Sequence, residues 1–160
     1  MIFQLSMAIG ALAAGVRNVI RAQPERRRPV AGAVVINFRH EIGLVLRRDR
    51  QQQLYWSLPK VRLVEGEEPE AGALRSVRES IGLGARIYRP LLVHTALCLD
   101  THYYELIVER DDASLDPEAP LHCFVTLPEA LMRIRSARDR AVLGRLLALR
   151  SEHYVDMGGR

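Results

Sequence analysis

The segment from Glu67 to Gly82 constrains the fold of this chain more than any other, because it carries helix punctuation at both ends. Pro69 suits a first helical turn, where a missing N–H leaves nothing unpaired, and Glu67, Glu68 and Glu70 lie near the positive end of the helix dipole. Gly82 stands just past the stop, so the spacing predicts one helix over residues 69–81. Its apolar side reads as Ala71, Leu74, Val77 and Ile81, which leaves Arg75, Ser76, Glu79 and Ser80 on the opposite, polar side. Any chemistry of this helix is expected on that polar side.

Strand-like runs surround the helix. Residues 29–38 are rich in Ala, Val and Ile and end in a polar turn at Arg39–Glu41, and residues 43–46 read as the hairpin partner. Residues 54–58 form a short strand stopped by Pro59, and residues 62–64 a brief extended piece. After the helix come strands at 87–97, 103–108 and 122–126, with an Asp- and Pro-rich loop before the last, then helices at 128–134 and 139–149. Strands on both sides of one central helix, with helices at the end, predict a layered α/β domain with a mixed sheet. A chain of 160 residues that is 48% hydrophobic is long enough to bury one ordinary core.

The formal charge of +4 comes from arginine, since lysine occurs once, at Lys60. Such a bias follows genome composition as readily as it serves a polyanion, so nucleic acid is not the expected partner, and Arg26, Arg27 and Arg28 read as a solvated linker. Cys98 and Cys123 fall in apolar, strand-like stretches without disulfide or zinc spacing, which predicts buried thiols in a reducing, cytoplasmic compartment. The five histidines are scattered, so a histidine-built metal site is not expected.

Residues 1–16 carry no charge, yet a bilayer-spanning helix needs about 20 apolar residues, and Arg17 and Arg21 end this run early. A secretory signal does not fit either, because no basic residue precedes the apolar run. Ile2, Leu5, Ile9, Leu12, Val16 and Val19 alternate steps of three and four, which predicts a helix over residues 1–22 with one apolar stripe. The expected cover for residues 2–20 is the chain's own domain, a second copy in a homo-oligomer or a protein partner. The alternative is peripheral membrane contact, in the plane of the bilayer. The chain then divides into this helix, a linker at 23–29, a domain at 30–150 and a tail at 151–160.

From Val61, running through Glu67 and then Arg75-Ser-Val-Arg-Glu-Ser-Ile-Gly-Leu83, the sequence resembles the Nudix box, GX5EX7REUXEEXGU with U aliphatic, without a gap. Glu67, Arg75, Val77, Glu79, Gly82 and Leu83 match, Val61 replaces the first glycine, and Ser76 and Ser80 replace two glutamates. A leading hairpin, a Trp-x-Leu-Pro entry and a Leu-Pro-Glu-Ala-Leu helix at 127–131 extend the likeness over roughly residues 30–150. The resemblance implies a Nudix-like α/β/α sandwich with a mixed β-sheet, to which the N-terminal helix is added.

In that family the helix glutamates hold Mg²⁺ or Mn²⁺ against a diphosphate. The resemblance therefore makes Glu79 the catalytic and metal-binding residue, with Ser76 and Ser80 at damaged metal positions and Glu67 with Arg75 as the structural ion pair. A unit charge pair at about 4 Å is worth roughly 4 kcal/mol at an effective dielectric of about 20, before desolvation, so losing two carboxylates weakens the site severely. Val61 adds a Cβ where the family's loop bends tightly. Lys60 and Arg78 lie near enough in sequence to meet phosphate without a metal, while Glu105, Glu109, Asp111 and Asp112 are outlying acids able to compensate.

Three functions follow from this reading. The first is an impaired Nudix domain that binds a nucleotide-like small molecule or serves as an interaction module, with no cofactor. The second is an active hydrolase of nucleoside diphosphate-linked substrates that depends on Mg²⁺ or Mn²⁺. The third is a non-enzymatic scaffold using its N-terminal helix.

Overall fold

The computed structural model describes residues 28–109 and 121–157, with side chains as far as residue 152. The expected N-terminal helix, most of the linker, Asp111, Asp112 and the end of the tail lie outside the described residues. In chain order the elements are β1 Val30–Ile36, β2 Ile42–Arg48, β3 Leu54–Ser57, β4 Lys60–Arg62 and α1 Pro69–Ile81. They continue with β5 Ala85–Ala96, β6 Leu99–Val108, β7 His122–Val125, α2 Leu127–Arg133 and α3 Ala137–Met157. Among the described residues no helix is long and apolar enough to cross a membrane.

β1 reads Val-Ala-Gly-Ala-Val-Val-Ile, apolar on both faces, and that is what a central strand requires. It runs parallel to β6, from Val30 opposite Thr101 to Ile36 opposite Ile107, within the order β3-β2-β1-β6-β5. Every other pairing is antiparallel: β4 lies against the start of β1, and β7 against β2. The seven strands therefore make one mixed sheet among the described residues.

Alternation splits the core in two. Ala31, Ala33 and Val35, with Leu106 and Val108, pack against Ala73, Val77 and Ile81 of α1. Val34, Ile36 and Tyr103 pack on the other side against Ala130 of α2 and Val142, Leu143 and Leu146 of α3. The result is an α/β/α sandwich.

The bounds of α1 are those its punctuation predicts, and Gly82 caps it at φ 80°, a left-handed conformation suited to glycine. Its faces differ from the sequence reading. The buried stripe comprises Gly72, Ala73, Ser76, Val77, Ser80 and Ile81, while Ala71 is exposed. Serine tolerates this rotation because it is small and can return its hydroxyl to the helix, as Ser76 Oγ does by donating to the Ala73 carbonyl at 2.7 Å. At Gly72 the helix sits so close to Leu63 and Ala31 that an added Cβ would overlap the Leu63 side chain.

The β5–β6 connection also corrects the sequence reading. Leu97 and Cys98, expected in a strand and a buried thiol, instead form the hairpin turn at φ 49° and 59°, with Cys98 exposed. Cys123 does lie in a strand, β7, half-buried, with its thiol pKa raised by burial.

Candidate functional site

The loop between β4 and α1 is closed by one guanidinium. Arg75 donates from Nε to Glu67 Oε1 and from Nη2 to Glu67 Oε2, each at 2.8 Å, and from Nη2 to the Arg62 carbonyl at 2.9 Å. Glu67 also accepts the Val64 N–H at 2.9 Å. The bidentate Arg75 bond first, and the Val64 N–H second, hold the Glu67 carboxyl at a pKa of about 2.

Val61 does not bend the loop as the missing glycine suggested. It lies in β4 opposite Ala31 in ordinary extended backbone, and the left-handed position in this loop falls at Gly66, φ 76°. Pairing with Ala31 of β1 accommodates Val61 in a strand.

On α1 itself, Glu79 is 54% exposed and accepts Arg75 Nη1 at 3.2 Å, one helical turn back. Ser76 is fully buried and Ser80 nearly so. Arg78 is exposed, and among the described residues its side chain has no hydrogen-bond or ion-pair partner.

Lys60 lies elsewhere in the chemistry. Its ammonium contacts Asp139 Oδ2 of α3 at 2.5 Å and donates to Ser57 Oγ at 2.9 Å. The fully buried Asp139 also accepts from Tyr103 Oη at 2.9 Å and from the Leu58 N–H at 3.3 Å. Burial pushes the Lys60 pKa down although Asp139 pulls it up, and burial followed by the Asp139 charge raises that of Tyr103. This is a closed polar joint between sheet and α3, with its charges spent on each other.

The outlying acids are also placed. Glu105 is buried against Arg89, Nε to Oε2 at 2.6 Å, facing α3 rather than α1, and Glu109 is exposed beyond the end of β6.

Arg47, which the sequence reading missed, approaches the box loop from β2. Its Nη2 donates to the Lys60 carbonyl at 3.2 Å, and its Nε is buried without any partner. Its position two residues beyond Val45, on the α1 side of an alternating strand, was the one available signal.

Hard divalent ions call for several charged oxygens. Among the described residues no group of three His, Cys, Asp or Glu side chains could hold a metal. Glu79 is shared with Arg75, the Ser76 proton is given to Ala73, and the Lys60 carbonyl already faces a guanidinium. Among the described residues, these donors do not make up the several charged oxygens that Mg²⁺ or Mn²⁺ calls for.

A mixed sheet between one helix and a pair of helices, with an Arg–Glu clasp joining the loop to the single helix, defines a Nudix-type sandwich. The NUDIX domain model matches residues 26–145, and the chain belongs to that family. Curated proteins yield no match.

Solved structures with the same fold include a NUDIX hydrolase from Nitrosomonas europaea, 16% identical with TM-score 0.63, covering 76% of this chain and 88% of that one. A C. elegans Ap4A hydrolase is 18% identical with TM-score 0.63, covering 77% and 98% respectively. MutT, from work on Aliivibrio salmonicida and Vibrio cholerae, is 18% identical with TM-score 0.59, covering 75% and 97%. At these identities the likeness is one of fold.

Proposed function

We propose that this NUDIX domain binds a nucleotide-like, phosphate-bearing ligand through basic side chains at the box, and that its capacity for metal-dependent hydrolysis is impaired. The observation that supports this reading is the charge balance around the box. Arg47 presents a buried Nε with no partner, Arg78 is unpaired among the described residues, and the one acid of the helix's damaged triad, Glu79, leans on Arg75. The unpartnered Nε costs the free chain about 1–3 kcal/mol, and an anion against the rest of the Arg47 guanidinium and Arg78 would neutralise the positive charge gathered there. Lys60 has no part in this, because Asp139 neutralises it.

The residues do their work by position. Glu67 and Arg75 fix the loop, Arg47 offers a guanidinium whose planar donors match phosphate oxygens, and Arg78 adds positive potential at the rim.

The test is calorimetric titration with ADP-ribose, a nucleoside diphosphate carrying a second moiety, in EDTA and again with Mg²⁺ or Mn²⁺. Equal affinity in both, no release of AMP, and a loss of roughly tenfold or more in Arg47→Ala are expected. A Ser80→Glu variant and a Ser76→Glu, Ser80→Glu double variant, each checked by thermal melt because both positions are buried, should gain metal-dependent release. Membership in the NUDIX family favours a second reading, an active Mg²⁺- or Mn²⁺-dependent pyrophosphohydrolase. AMP release by the unmodified chain, abolished in Glu79→Gln, would establish that reading and overturn the first.

A further inference from the structure

On the face of the sheet that carries α3, where β1 runs out into its turn, lies a cleft of about 420 Å³. Its walls include Phe38, Tyr88, Arg89, Glu105, Leu149 and Arg150. The box is elsewhere. β4 meets β1 at its Val30 end, whereas Ile36 and Ile107 border the cleft, and six residues of strand separate these ends by about 20 Å. α1 covers the opposite face.

The chain builds this cleft deliberately. Between β5 and β6 the register slips, Ile87 pairing with Leu106 and Arg89 with Glu105, so Tyr88 is an extra residue in a bulge. A bulge breaks the strict alternation of a strand, and here two consecutive side chains, Tyr88 and Arg89, line the same cleft. Glu105 is buried and holds Arg89 by Nε, while the Arg89 guanidinium lies 5.3 Å from the Tyr88 ring centre.

That arrangement leaves donors over. Among the described residues, neither Nη of Arg89 nor the Arg150 guanidinium donates to a protein acceptor, although Arg89 is anchored and oriented. One carboxylate faces two guanidinium groups, a net positive charge beside two aromatic rings, both at least half-exposed. The volume falls within the range of about 300–1,000 Å³ common for small-molecule sites.

We propose that this cleft is a second ligand site, independent of the box, for a small molecule with a flat aromatic ring bearing one anionic group. The ring lies along Phe38 and Tyr88, and the anion, a carboxylate or a phosphate, accepts from Arg89 and Arg150. Glu105 serves as the positioning residue that holds Arg89.

The experiment titrates the full chain by calorimetry with 2-naphthoate, with 1-naphthyl phosphate and with the neutral 2-naphthalenemethanol. Saturable one-to-one binding of at least one anion is expected, with the better anion showing which group the site takes and the alcohol binding at least ~10-fold more weakly. Arg89→Ala strips a buried carboxylate of its partner, so the variants that carry the test are Arg150→Gln and Phe38→Ala, each confirmed folded by thermal melt. Both should weaken anion binding by roughly tenfold, while Arg47→Ala leaves it unchanged. No saturation by either anion up to ~10 mM, equal binding of the alcohol, or binding lost in Arg47→Ala and kept in Arg150→Gln would overturn the assignment.

Discussion

Glu67 receives three donated hydrogens at once, two from Arg75 and one from the Val64 backbone, and its carboxyl titrates far below a free glutamate as a result. Because the value falls from 4.5 to about 2 on folding, its contribution is fully present above the unfolded value and disappears as pH drops through the folded one. Urea melts of the unmodified chain and of Glu67→Gln should therefore differ most above pH 4.5 and converge as pH approaches 2. A gap that stays constant over that window would show that the carboxylate's charge is not what matters. The two partners were legible in the sequence because box spacing puts them where loop and helix meet. Arg47 was not, since an arginine near the end of a strand looks solvated until the fold shows which groups surround its Nε.

Among the elements, α1 shows how far periodicity reaches. Its ends follow from Pro69 and Gly82, which act locally, but its orientation about its own axis depends on how closely the sheet lets it approach. Small residues at 72, 73, 76 and 80 turned out to be the ones against the strands, and a hydropathy pattern ranks serine as surface. The β5–β6 hairpin fails in the opposite way. Leu97 and Cys98 carry no turn signature, yet both take positive φ as the twist of a two-residue hairpin demands. Each L-residue there costs about 1–2 kcal/mol, so Leu97→Asn with Cys98→Gly should raise stability by ~1–2 kcal/mol in total. The urea midpoint should rise with an unchanged slope; a lower midpoint would mean that these side chains make favourable contacts worth more than the strain.

At the scale of the molecule, Asp139 is the joint that ties α3 to the sheet, gathering Lys60, Ser57, Leu58 and Tyr103 from three strands and a loop. An ion pair of this kind is weak evidence for net stability, but breaking it from one side strands the others in the interior. Asp139→Ala should cost about 3–5 kcal/mol in equilibrium unfolding. Lys60→Met should cost less, because Asp139 then keeps its three remaining donors. Equal losses would mean that the Lys60 charge, not the shared carboxylate, governs the joint.

Local chemistry determined most of the elements, the α/β layering, the box and its missing carboxylates, since proline, glycine, alternation and fixed spacing act over a few residues of chain. Only the tertiary structure decided that Lys60 is neutralised by a residue 79 positions away, that Ser76 and Ser80 face inward, that Arg47 buries an unpartnered Nε, and that the Arg89–Glu105 pair lines a cleft. Charge compensation and burial belong to groups brought together by folding, so they are properties of pairs and surroundings that no single stretch of chain contains.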